Sequence, residues 1–186
     1  MNINTAILDG TKFLKENHIK FPGLDSEILL ANVLKKKREY IILNLDKNIK
    51  KESLKYFQEM IRQRSLGKPI AYLIGKKNFW NSEFEISEGV LIPRPDTEIL
   101  IQETLRLYEH KKYANILDIG VGSGCILLTV LKEKKNFYGT GIDISKKSLD
   151  TCKINGENLG VINRLKLFKS DIDNFHFRKY DLIISN

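Results

Sequence analysis

An apolar strand pattern runs into three glycines at alternate positions, Ile116-Leu117-Asp118-Ile119-Gly120-Val121-Gly122-Ser123-Gly124, and an apolar helical pattern follows from Cys125 to about Lys134. This stretch narrows the possible folds more than any other. Glycines permit a sharp reversal and let a ligand approach main-chain atoms that a Cβ would shield. Free N–H groups at the start of the next helix would then face that ligand. The pattern predicts a small-molecule cradle at the first turn of an α/β unit, although an ordinary tight loop uses the same residues.

Spacing separates two kinds of cradle. A dinucleotide site wants G-x-G-x-x-G, and Cys125 stands where its third glycine belongs. D-x-G-x-G-x-G, at Asp118, Gly120, Gly122 and Gly124, instead resembles the first motif of S-adenosylmethionine-dependent methyltransferases. That makes Gly120, Val121, Gly122, Ser123 and Gly124 candidates for the methionine part of the cofactor. Asp118 is read as a structural holder of the loop or as a contact to the cofactor's ammonium.

The neighbouring residues extend the unit. Asn136 to Ile142 predicts a second strand ending at Asp143, with a helix from Lys146. Asp143 lies 19 residues beyond Gly124, a spacing that suits a carboxylate accepting both ribose hydroxyls. The competing role is a helix cap, by Asp143 or Ser145. Leu165 to Phe168 predicts a third strand, followed by Ser170-Asp171-Ile172. Asp171 could meet an adenine edge while Ile172 covers the ring face. A turn or cap role for Asp171 is the alternative. Asp181 to Ser185 predicts a fourth strand, with Asn186 at its end.

With 186 residues, 42% of them hydrophobic, there is material for one good core or two small ones. No apolar run approaches a membrane span, and Met1 to Lys15 lacks a signal-peptide core. Cys125 and Cys152 form no C-x-x-C pair, and His18, His110 and His176 are scattered, so no metal is expected. These features predict a reduced, cytoplasmic protein with no membrane partner. The charge is uneven. Residues 1–80 carry 16 Lys/Arg against 8 Asp/Glu, whereas residues 81–186 balance at 15 of each. The basic half could meet RNA, a ribosome or an acidic protein, or merely paint solvated helix faces.

That basic half reads as helical. Ile3, Ile7, Gly10 and Leu14 recur at helical spacing, and Asp25 is expected to cap a second helix with Ile28, Leu29, Ala31 and Leu34 inward. Tyr40 to Leu45 and Lys51 to Ser65 predict two more. Ile70 to Ile74 and Glu83 to Ile86 predict two strands around an Asn81-Ser82 turn, with Phe79 and Trp80 near the tip. Leu91-Ile92-Pro93-Arg94-Pro95-Asp96-Thr97-Glu98 is a proline-stiffened approach to a helix that Asp96 is expected to cap, with Leu100, Thr104 and Leu107 on its apolar side.

With these residues in view, the chain resembles the release-factor glutamine N5-methyltransferases, the HemK/PrmC family. Leu24 to Leu30, Pro69 to Gly75 and above all Leu91 to Glu98 carry the resemblance. It implies an α/β, class I (Rossmann-like) S-adenosylmethionine-dependent methyltransferase half-sheet of strand order 3-2-1-4. A helical substrate-recognition domain (1–66) and a β-hairpin linker (67–90) would precede the methyltransferase domain (91–186). The implied activity is methyl transfer from S-adenosyl-L-methionine to the Gly-Gly-Gln glutamine of peptide chain release factors. In the family the fourth strand ends in Asn-Pro-Pro-Tyr. Asn186 matches the first residue of that motif, so it is the candidate that binds the substrate amide and aims it. Because the prolines and the aromatic do not follow, the chain is expected to be an N-terminal fragment with reduced or no activity. Two alternatives stand beside this reading: an adenine-N6-type nucleic-acid methyltransferase, and a non-catalytic docking module.

Overall fold

The computed structural model describes residues 1–176 and 179–186, which divide into two compact units, Met1–Ile74 and Gly75–Asn186. The first is helical: α1 (Ile3–Glu16), α2 (Pro22–Leu34), α3 (Arg38–Leu43), α4 (Lys51–Ser65) and α5 (Ile70–Ile74). Its core gathers Ile3, Leu14, Leu29, Leu30, Ile41, Phe57, Met60 and Ile61. Gly10 is buried in α1 because α2 and α4 press against it; a Cβ there would come 2.6 Å from Ser26 Oγ and 3.0 Å from Phe57.

Two expectations fail in this unit. Asp25 does not cap α2: Pro22, whose fixed φ suits the first turn, starts the helix three residues earlier. Asp25 is instead buried and paired with Arg64 of α4, Nε to Oδ2 at 2.7 Å. Ile70–Ile74 is a helix and not a strand. Ala71 is buried, and Ile70, Leu73 and Ile74 pack on the helical core, a one-sided grouping that a helix supplies and a strand does not.

In the second unit the hairpin's first strand therefore comes later than expected and its turn and second strand one residue earlier: β1 (Lys76–Phe79) pairs with β2 (Ser82–Glu85), with Phe79 opposite Ser82 and Trp80-Asn81 in the turn. Phe79 and Phe84 are buried edge to face, 6.1 Å between centroids. The proline-stiffened segment 91–97, the arm, then passes through a single 3-10 turn, Pro95–Thr97, into α6 (Glu98–Leu107). Asp96 makes no capping bond there because the chain is already helical at Thr97. Ile101 and Thr104 are the buried positions of α6, while Leu107 is exposed.

The remainder alternates strand and helix: β3 (Ala114–Ile119), α7 (Cys125–Glu133), β4 (Phe137–Asp143), α8 (Lys146–Asn158), β5 (Leu165–Lys169) and β6 (Leu182–Ser185). All four strands are parallel, in the order β5-β4-β3-β6. Counting from β3, this is the 3-2-1-4 order that the resemblance implied. The chain builds outward from β3 to β5, then returns to the far side of β3 as β6. That reversal makes the C-terminal ends of β3 and β6 a topological switch point, where open α/β sheets bind ligands.

Candidate functional site

The C-terminal ends of the four strands carry nearly every residue singled out above. After Ile119 the chain reverses through Gly120, Gly122 and Gly124, with φ of 75°, 55° and 81°. The first and third of these glycines do different jobs. No atom lies within 4 Å of a Cβ placed on Gly120, so its bare face opens to free space. A Cβ on Gly124 would come 2.6 Å from Cys152 Sγ of α8 and 2.7 Å from Leu128 Cδ1 of α7. Its bareness serves packing. Gly124→Ala combines left-handed strain with overpacking, so it is expected to destabilise the sheet unit by about 2–3 kcal/mol, read from urea unfolding.

The turn's N–H groups are less free than the sequence suggests. Gly120 and Val121 both donate to Ile142 O at 2.9 Å, and Gly124 donates to Val121 O at 2.8 Å. Gly122 donates to Asp143 Oδ2 at 3.0 Å. These bonds fix the turn against β4 and leave its glycine faces, rather than a row of donors, to meet a ligand.

Asp143 closes β4 and points back at this turn. Its second oxygen accepts from Ser145 N at 2.8 Å, while Ser145, not Asp143, caps α8 by accepting from Ser148 N. A carboxylate has about four lone-pair sites, so two N–H bonds leave it able to accept hydroxyls. Asp171 and Ile172 lie past the end of β5, on the same edge of the sheet, where Ser170 N bonds Asp143 O at 3.2 Å. The Asp171 carboxylate accepts from Asn174, through its backbone N at 2.8 Å and its side-chain Nδ2, which makes a local turn; Ile172 is exposed.

On the other side of β3, the arm folds over the turn. Pro93, Arg94 and Thr97 line a cavity with Asp118, Gly120, Ser123 and Asn186. Asn186 Nδ2 donates to Thr97 Oγ1 at 3.2 Å. The cavity measures about 40 Å³, against the roughly 10–15 Å³ of such space that one water needs. It takes a group of a few atoms; Asp143, Asp171 and Ile172 are not in its lining. Larger hollows lie elsewhere. One of about 340 Å³ is lined by α1 and α4 residues such as Phe13 and Phe57, and one of about 410 Å³ sits near the N-terminal ends of β3–β5. Neither carries the convergent glycine and carboxylate groups of the switch point.

Two further hydrogen-bonding residues, Glu98 and Asn155, brace the surroundings of the turn. Glu98 accepts from Trp80 N at 2.9 Å, tying the arm to the hairpin tip. Asn155, buried in α8, donates to Ser123 O at 2.9 Å from within a helix that looked merely like a crossover. No local spacing signals either contact.

Comparison with known proteins places this geometry. Residues 5–75 match the PrmC N-terminal domain and residues 110–186 match a methyltransferase domain. Release factor glutamine methyltransferases from Buchnera aphidicola subsp. Schizaphis graminum and Clostridium acetobutylicum are 39% and 36% identical, each over the whole chain and 66% of their own length. That of Clostridium botulinum is 35% identical over the whole chain and 67% of its length. The chain belongs to the release factor glutamine methyltransferase family. It spans about two thirds of the length of these family members, and half of one from Fusobacterium nucleatum.

The family's methyl donor fits what the switch point offers. Ser123 Oγ is buried in the cavity wall and, among the described residues, meets no hydrogen-bond partner at full geometry, with the Cys125 thiol its near neighbour. The open Gly120 face lies in the same turn, and the Asp143 carboxylate accepts from Gly122 N in that turn. The small cavity suits only one end of such a molecule.

Proposed function

We propose that this chain carries the cofactor site and part of the substrate site of an S-adenosyl-L-methionine-dependent methyltransferase acting on the side-chain amide of glutamine in the Gly-Gly-Gln motif of peptide chain release factors. The observation behind the proposal is the meeting of Asn186 with Thr97 of the arm, beside the glycine turn. When bound, the cofactor supplies an electrophilic methyl group. The protein's own contribution is placement. An amide nitrogen is a poor nucleophile, its lone pair delocalised into the carbonyl, so rate comes chiefly from orientation. Asn186 would accept a substrate N–H through its amide oxygen while its Nδ2 stays on Thr97.

Gly120 to Gly124 would pass along the methionine part, Asp143 would take the ribose hydroxyls, and Asp171 and Ile172 would border the adenine. The helical segment (1–66) would recognise the substrate protein, with the hairpin as linker. A cytoplasmic location belongs to the same proposal, since release factors work on ribosomes there. Among the described residues no helix is long and apolar enough to cross a membrane.

The test is transfer of labelled methyl from S-adenosylmethionine to a release factor and to its Gly-Gly-Ala variant. Label in the first alone supports the proposal; equal label in both, or label in neither from a chain that also binds no S-adenosylhomocysteine, overturns it. At the cofactor, Asp143→Ala is expected to weaken S-adenosylhomocysteine binding by about 1–3 kcal/mol, the worth of charged hydrogen bonds. An unchanged affinity by calorimetry would remove Asp143 from the site.

A further inference from the structure

The Asn155 side chain makes three hydrogen bonds, none with its own helix. Its Oδ1 accepts the Glu85 N–H at 2.7 Å, and its Nδ2 donates to Glu85 O at 3.0 Å and to Ser123 O at 2.9 Å. The side chain thus pairs with β2 as a neighbouring peptide would, and uses its remaining donor on the glycine turn. It is 1% exposed. Both N–H donors and the acceptor are engaged, which locks the side chain at both ends.

Ser123 lies between Gly122 and Gly124, both left-handed, in a turn where backbone freedom is greatest. Its carbonyl is the point at which α8 grips that turn. The anchor on the other side is firm. The hairpin tip is held by Trp80, whose backbone N–H reaches Glu98 and whose indole N–H reaches Glu133 Oε1 at 2.9 Å. Lys132 adds a bond to Ser82 Oγ at 2.8 Å.

We propose that Asn155 is a positioning residue for the cofactor turn, setting the Ser123–Gly124 peptide by hooking it to strand β2. This rests on the reading of that turn as the S-adenosylmethionine site. It also gives the hairpin a task in the methyltransferase unit itself, as the post to which the turn is tied.

Calorimetry with S-adenosylhomocysteine tests it, comparing the wild-type chain with Asn155→Ala, Asn155→Ser and Thr151→Val. Thr151 lies one helical turn earlier and bonds Ser87 Oγ at 3.0 Å, so its loss loosens the same α8 packing without touching Ser123. The expected result is a tenfold or greater weakening in the Asn155 variants with a folded circular dichroism spectrum, and less than twofold in Thr151→Val. Should the Ala variant not fold, the Ser variant is read instead. Asn155 variants binding within twofold of wild type would overturn the proposal, as would an equal weakening in Thr151→Val. If neither Asn155 variant folds, the residue serves the fold and the proposal fails. A wild type that binds no S-adenosylhomocysteine fails differently: it removes the cofactor reading, and this proposal with it.

Discussion

Arg64→Ala should lower the stability of the helical unit by about 3 kcal/mol, because it leaves the Asp25 carboxylate buried and uncovered. Arg64 Nε lies 2.7 Å from Asp25 Oδ2, and its Nη1 also donates to Lys68 O at 3.1 Å. The pair joins α2 to the last turn of α4, with side-chain exposures of only 10% and 19%. Removing one partner from such a pair costs far more than the pair is worth against an apolar substitute. The double variant Asp25→Leu/Arg64→Met should therefore recover most of the loss. Urea unfolding followed by circular dichroism reads both. A double variant no more stable than Arg64→Ala would mean that lost packing, rather than the uncovered charge, causes the damage.

The same residue shows where the sequence stops being legible. Asp25 sits where a capping residue would sit, and its true partner is 39 positions away on another helix. Local chemistry cannot distinguish the two. Glu98 with Trp80 and Asn155 with Ser123 were hidden for the same reason. What could be read was periodic or conformational. Short apolar runs ending in glycine or aspartate announced β3 and β4, whereas their order in the sheet was implied only by the family resemblance. Ile70–Ile74 went the other way: five apolar residues are too few to separate strand from helix by pattern, and packing on the helical core decided. Gly139 and Gly141 interrupt the second strand, and isolated strand glycines mark a close approach. A Cβ at either would come 2.8 Å from a side chain, Leu127 or Val121.

Raising the pH from 4 to 8 should destabilise the sheet unit through Asp118. Its carboxyl is 2% exposed, on β3 beneath the glycine turn. Burial pushes its pKa from 3.8 up to about 7; the Leu127 backbone N–H pulls it partly back, and the nearby Asp143 charge adds to the rise. Between those two values the unfolded chain has ionised Asp118 while the folded chain keeps it protonated. The folded state therefore binds more protons, and stability falls as pH rises. The contribution is whole below 3.8 and gone above about 7. A shift of that size corresponds to ~4 kcal/mol across the window. Asp118→Asn cannot ionise, so its stability relative to wild type should climb by that order between pH 4 and 8; a difference independent of pH would rule out a buried neutral carboxyl. The same group reaches the proposed chemistry, because Asp118 lines the cavity with Gly120 and Ser123. A cationic amino-acid end placed there favours the ionised carboxylate. S-adenosylhomocysteine should accordingly bind more tightly at pH 8 than at pH 6 in wild type, with Asp118→Asn flat over the same range; a slope that survives in the variant would assign the pH dependence to another group.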